Sequence, residues 1–273
     1  MLWVGLLLAA IGGAMLYFSG KAANRVFNMK ASETAQIGEF TSTMEAVRSE
    51  LGGGPIEMRE FVEIKGTVGS DRPLLAEMSG QQAVIVRSKV SREIEELRTE
   101  RDSEGDLVDR WVSRTETLNN SNLDTPFWID DGSGRIDVRP GGASYTLQCV
   151  VDRFEQANSV ERGSSISFGS LSFNIGSRSY GDTLRVKGYQ FREEILPLGA
   201  RVYALGEVSD TSDGIALHKP GDADKPFVLS TRSEEEMVSA GDSQAKWLKF
   251  GGFGGIGVGV ILVIVGAIKM VAG

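Results

Sequence analysis

The chain has one cysteine, Cys149, and one histidine, His218, in 273 residues. A single thiol cannot close an intramolecular disulfide, and one thiol with one imidazole cannot supply the ligands of a cysteine-based zinc site. The scarcity of histidine removes most imidazole-dependent mechanisms as well. Basic residues are in deficit: 29 Lys+Arg stand against 37 Asp+Glu, a formal net charge of -8. Phosphate backbones are bound by a cationic excess that displaces counterions, so no nucleic-acid partner is expected. The lone thiol fits a reducing compartment.

Charge is missing altogether from two stretches, residues 2–18 (LWVGLLLAAIGGAMLYF) and 250–268 (FGGFGGIGVGVILVIVGAI). A helix needs about 20 apolar residues to cross the hydrocarbon of a bilayer. Membrane spans are therefore predicted over 2–19 and 248–270. The first lacks a basic leading region and a small-x-small cleavage site, which favours an uncleaved anchor over a signal peptide. Lys21, Arg25 and Lys30 follow the first span, Lys246 and Lys249 precede the second, and Lys269 lies outside the pair. By the positive-inside rule the long middle section faces the cytoplasm. Gly5, Ala9 and Gly13 recur every four residues in the first span, as do Gly251, Gly255 and Gly259 in the second. Small residues at this spacing let helix backbones approach in lipid, either between the two spans or between copies in a homo-oligomer.

Between the spans, residues 32–51 place Ile37, Phe40, Met44, Val47 and Leu51 on one helical stripe, with Ser32 as the expected N-cap. From 56 to 233 the texture is that of strands, and the fold class is a mostly β soluble domain between two transmembrane helices. Curled antiparallel sheets or a partly open barrel are expected, with two sub-sheets as one arrangement. Residues 83–101 and 107–118 read as a long hairpin, although SREIEELRTERD (91–102) has helix-favouring composition and keeps a helix open. The motif DDGSG (130–134) looks at first like a cation or phosphate loop. Counted from Asp130, the twelfth position is Gly141, not the glutamate an EF-hand needs, and a strand rather than a helix follows the glycines. It reads as a hairpin turn between PFWI and RIDVR. The Ser/Gly-rich segment 157–182 carries Phe168, Leu171, Phe173 and Ile175, which are candidate partner-binding residues on an apolar tip; the alternative is an ordinary loop with one buried strand.

Catalytic chemistry finds little to stand on. His218 lies in a polar loop (IALHKPGDADKP), and Cys149 sits in an apolar run that suggests a buried thiol. Glu193 and Glu194 are adjacent on a strand and point to opposite faces, so they cannot converge on one substrate; one of them is expected to bind the backbone amides of the adjoining ILPLG turn. No catalytic residue, cofactor or metal ligand is assigned.

Taken in order, EIKGTV, RPLLAEMSGQQAVIVRSKVSRE, Trp111, PFWIDDGSGRIDVRPGGA, FREEILPLGARVYALGEV and PFVLSTRSEEE, followed by a span, resemble the MULAN/GIDE family of membrane-anchored ubiquitin ligases. The resemblance covers most of residues 60–270 and lies in the domain between the family's two spans. Ala83 and Val86 stand where relatives often carry a cysteine and an aromatic. A RING finger needs eight zinc-binding side chains, which these 273 residues do not contain. The resemblance implies a RING-less, prokaryotic-like member in the plasma membrane: a non-enzymatic module that binds an unknown protein partner or substrate. The alternative is an oligomeric membrane protein that assembles, gates or senses through its glycine-faced helices.

Overall fold

A computed structural model describes residues 2–31, 34–52, 58–162, 165–174, 183–211 and 214–271. In chain order the helices are α1 (Leu2–Ala31), α2 (Ile37–Glu50), α3 (Ala157–Val160) and α4 (Glu234–Val271). The first eight strands are β1 (Arg59–Gly69), β2 (Leu74–Leu75), β3 (Gln82–Arg101), β4 (Leu107–Asp124), β5 (Phe127–Asp130), β6 (Arg135–Val138), β7 (Ser144–Thr146) and β8 (Gln148–Gln156). Seven more follow: β9 (Glu161–Arg162), β10 (Ser165–Phe168), β11 (Leu171–Asn174), β12 (Leu184–Pro197), β13 (Arg201–Thr211), β14 (Gly214–His218) and β15 (Val228–Ser230). The chain is mostly β with an apolar helix at each end, as the sequence predicts. The stretch 56–233, read as one domain, is divided between two compact units: residues 1–66, 131–145 and 202–273 form the first, and 67–130 with 146–201 the second.

In the first unit α1 and α4 lie side by side, antiparallel, and both are long and apolar enough to cross a membrane. Both run past the predicted spans into polar sequence, to Ala31 and from Glu234. A Cβ on Gly5 would lie 2.6 Å from the Gly259 carbonyl oxygen, and one on Gly259 would lie 2.8 Å from the Ala9 nitrogen. One on Gly12 would lie 2.7 Å from the Gly252 carbonyl oxygen, and one on Gly255 would lie 3.3 Å from the Gly12 Cα. The seam therefore runs Gly5, Ala9, Gly12 against Gly252, Gly255, Gly259. Gly13 faces open space and Gly251 meets only the Met15 side chain. At 3.6 residues per turn, steps of four drift around the helix while a step of seven nearly returns, so Gly12 rather than Gly13 falls under Gly5. Beyond the apolar stretch, the Ser19 hydroxyl donates to the Ala245 carbonyl (2.9 Å), and Lys30 pairs with Asp242 (3.0 Å).

The sheet of this unit places β6, β14, β13, β15 and β7 side by side, with β14–β6 parallel and β13 antiparallel to both β14 and β15. Met29, Tyr203, Leu205 and Val228 form a core cluster against Phe61, Met237 and Val238. Asp131 decides how α2 is placed. Ser32 lies outside the described residues; α2 starts at Ile37, and Gln36 gives it no side-chain cap. The Ile37 N–H donates instead to Asp131 Oδ2 (2.9 Å) and the Gly38 N–H to Ser133 Oγ (2.9 Å). Asp131 Oδ1 accepts from the N–H groups of Ser133 (2.8 Å) and Gly134 (3.1 Å). DDGSG is thus a turn, with Gly132 at φ 88°, and it also satisfies orphan donors at a helix N-terminus. Ile37 and Met44 of the predicted stripe are buried, whereas Leu51 is exposed.

The second unit is an antiparallel sheet in which β3 lies between β4 and β12, β8 pairs the far edge of β12, and β2 adds to the start of β3. The last residues of β1 pair with β5 (Val68 opposite Ile129). β3 and β4 form the long hairpin, Arg101 opposite Leu107. The Asp102 carboxylate caps its turn by accepting the Glu104 and Asp106 N–H groups, both at 2.9 Å. Pairing with both β12 and β4 as far as Glu96, and with β4 beyond it, overrides the helical composition of 92–101. The core holds Met78, Val90, Ile166, Leu171, Tyr189 and Phe191; each large apolar side chain buried there contributes about 1.5–3 kcal/mol.

Two outcomes follow from these contacts. Gly259→Leu forces the helix pair apart at a cost of about 1–3 kcal/mol by analogy with overpacked cores, whereas Gly13→Leu leaves it intact. Cysteine cross-linking between α1 and α4 in detergent distinguishes them. Asp131→Ala removes the acceptor for α2 and costs about 1–2 kcal/mol, typical of a lost N-cap, read by thermal unfolding. Burial alone would raise the Asp131 carboxyl, but hydrogen bonds from Ser133, Ile37 and Gly134 outweigh it and hold it below its ordinary 3.8. A folded-state value below the unfolded one makes this contribution complete above 3.8 and lost as pH falls through the lowered value. The stability difference between wild type and Asp131→Ala shrinks in that acid window and stays constant above it.

Candidate functional site

The alternation of β1 sends Phe61, Glu63 and Lys65 to one face, and the first unit builds a polar cluster there. Glu63 is buried, and its Oε1 accepts from the Thr34 hydroxyl (2.7 Å) and from Lys65 Nζ (2.9 Å). Lys65 reaches a second carboxylate, Glu234 Oε2, at 2.8 Å. Hydrogen bonds to Glu234 and then Glu63 hold the Lys65 ammonium well above the ordinary lysine range. Tyr203 is buried beside the cluster; burial, and then the negative charge of Glu63, push its phenol up. Lys65 thereby ties β1 to the first turn of α4, and Glu63 ties it to the α1–α2 connection. Nothing in the sequence alone marks this cluster. Its local signal, two charges alternating with apolar residues in FVEIKG, reads as an exposed strand face until Glu234, far away in sequence, arrives over it.

Next to the cluster a groove of about 700 Å³ opens between α2 and β1, lined by Asn28, Gln36, Glu39, Phe40, Glu60 and Phe61 among others. Two aromatic side chains flanked by two carboxylates and two amides suit a polypeptide better than a small anion. Elsewhere in the unit, the His218 Nδ1–H donates to the Lys219 carbonyl (2.9 Å), leaving Nε2 to accept from the Ser209 hydroxyl at 2.6 Å. Ser209 is buried on the sheet, so this pair fixes the β13–β14 edge rather than presenting a nucleophile.

In the second unit Glu193 is fully buried. Its carboxylate accepts from the N–H groups of Met78 (3.0 Å) and Ser79 (2.9 Å), while Glu194 faces the other way and accepts from Arg192 (2.7 Å). The divergence predicted from adjacency is what the strand does. Cys149 is exposed, contrary to the buried thiol expected from its apolar run. β8 lies at the outer side of its sheet and turns Cys149, opposite Glu194, to solvent. The proposed apolar tip is corrected as well. Leu171 is buried, and Phe168 stacks on Phe191 with ring centroids 4.4 Å apart, so both belong to the core instead of a docking surface. Phe173 takes a strand position opposite Ile166, and Ile175 lies outside the described residues. Among the described residues no three His, Cys, Asp or Glu side chains are placed to hold a metal ion.

Comparison with known proteins gives these surfaces a context. The model of the GIDE family, described as E3 ubiquitin ligase, matches residues 95–265. The E3 ubiquitin-protein ligase SP1 of Arabidopsis thaliana is 25% identical over 258 residues, which are 93% of this chain and 67% of that protein. The E3 ubiquitin-protein ligase SPL1 of the same plant is 23% identical over 256 residues, again 93% and 67%. No solved structure matches. These findings overturn the reading of the chain as a non-enzyme: the family and both relatives are named for ubiquitin ligation. Both relatives are plant proteins, which gives no ground for the prokaryotic plasma membrane expected from the sequence. With the matched region extending over more than half of its residues, the chain belongs to the GIDE family of E3 ubiquitin ligases.

Proposed function

We propose that this chain acts in ubiquitin ligation at a membrane surface, anchored by α1 and α4, with its β-rich part binding the protein to be modified or a partner of the reaction. The observation that carries this reading is the extent of the family match. It runs from the middle of β3 to the apolar part of α4, so β-rich section and membrane helix occur together as one module. The groove between α2 and β1 and the Lys65 clamp at the start of α4 put a polypeptide-sized opening close to the helix pair. Lys21, Arg25, Lys30, Lys246 and Lys249 flank the apolar stretches on the side of the β-rich part, against Lys269 beyond them, and this bias supports a cytoplasmic β-rich part.

Reconstituted in vesicles with ubiquitin, its activating enzyme, a panel of conjugating enzymes and ATP, the chain is expected to raise ubiquitin conjugates on co-purifying membrane proteins several-fold over empty vesicles. No rise with any conjugating enzyme would sink the proposal. Orientation has its own reporter, because Cys149 is both the sole cysteine and exposed. A membrane-impermeant maleimide should label it only after cells are opened; labelling of intact cells would place the β-rich part outside.

A further inference from the structure

β4 is 18 residues long, and among the described residues β3 is its only strand partner. Its other edge presents a row of backbone donors and acceptors. Natural edge strands are commonly protected by proline, by shortness or by a covering loop. Leu107–Asp124 contains no proline and exceeds the usual strand length more than twofold. The single irregularity lies where the register shifts between Val90 and Ser91, which pair with Asn119 and Thr117. Below that bulge the run 107–117 is regular, rich in Val, Thr and Trp, and largely exposed.

We propose that this edge pairs antiparallel with β4 of a second copy of the chain, about a two-fold axis at Ser113. The self-complementary charges select that occupant and favour that register over the two next to it. Antiparallel self-pairing requires residues of like parity to face each other, so the axis must pass through a residue. With the axis at Ser113, Arg110 faces Glu116 of the second copy, twice by symmetry; Trp111 faces Thr115, and Asp109 faces Thr117. Moving the axis to Val112 sets Arg110 against Arg114, and moving it to Arg114 sets that arginine against itself. Opposite charges across a strand pair stabilise it and like charges destabilise it, so both neighbouring registers are disfavoured. Glu116 is held in place from within its own chain by the buried Arg92 while its side chain remains 34% exposed. The Trp111 ring is likewise fixed, with the Arg185 guanidinium 4.0 Å from its centroid. Both groups are therefore ordered before association, which lowers its entropic cost. A single strand pair buries little surface, but two chains confined to one membrane meet at a high effective concentration.

The test uses the full chain in phosphatidylcholine vesicles at low protein-to-lipid ratio, with Cys149→Ser to remove the native thiol. Ser113→Cys in this background should give a covalent dimer with a short bismaleimide, and Gln148→Cys, on the outer strand β8, should not. Adding Arg110→Glu should cut the Ser113→Cys dimer roughly tenfold, since two attractive cross-strand pairs become repulsive. Within its own chain Arg110 lies opposite Arg98, so this change does not oppose folding, which circular dichroism checks. A cross-link at Gln148→Cys but not at Ser113→Cys, or a dimer yield indifferent to Arg110→Glu, overturns the proposal. So does a monomeric chain whose Ser113→Cys is shielded by a co-purifying peptide, which would assign the edge to a client segment.

Discussion

The rest of the first unit depends on the backbone-to-backbone approach of α1 and α4. Where Gly5, Gly12, Gly252 and Gly259 meet, a single methyl group would fall within van der Waals contact of a carbonyl oxygen or an amide nitrogen. Such a seam gains from dispersion and close packing in lipid, where no hydrophobic drive favours one apolar helix over acyl chains. It also fixes topology. The two ends of the chain are brought together, so everything between them is a closed excursion that leaves and returns at one place. The polar continuation beyond the apolar stretches, Ser19 to Ala245 and Lys30 to Asp242, extends the same register into water.

That closure explains why the ionic cluster on β1 matters. Lys65 between Glu63 and Glu234 is worth little as a surface ion pair, since its side chain is 44% exposed. Glu63, by contrast, is buried, and a buried carboxylate without its cationic partner is costly. The arrangement therefore specifies position more than it adds stability: α4 has one place at which to begin. Asp131 does the same for α2, and Glu193 for the Met78–Ser79 turn in the second unit. In each case a carboxylate from one segment satisfies backbone or ammonium donors of a segment distant in sequence.

Those three carboxylates also mark the limit of what the sequence could tell. The apolar helices, the β3–β4 hairpin and the DDGSG turn were legible, because hydrophobic period and turn chemistry are local. The opposed directions of Glu193 and Glu194 were legible for the same reason. The capping role of Asp131 was not, since the helix it serves begins 94 residues earlier. For Phe168 and Leu171 the sequence left an apolar tip and a buried strand both open, because nothing local marks Phe191, on a strand further on, as the stacking partner of Phe168. Cys149 was misread in the opposite sense: its apolar neighbours predict burial, but among the described residues β8 pairs on one side only. The family was legible in the order of its motifs, whereas the step from absent zinc ligands to absent enzymatic character did not survive comparison with relatives named as ligases.

The helix seam has a consequence for how the protein is made. Its two halves stand at opposite ends of the chain, with about 200 residues between Ala31 and Glu234. At a synthesis rate of 5–20 residues per second, α1 waits roughly 10–40 seconds before its partner exists. Throughout that interval its glycine face is uncovered. The β-rich part is built meanwhile, tethered at one end only, and the arrival of α4 both closes the seam and delivers Glu234 to Lys65. Biogenesis thus passes through a half-assembled state whose lifetime is set by the ribosome, and any factor that shields a small-residue helix face would act on this protein in that window.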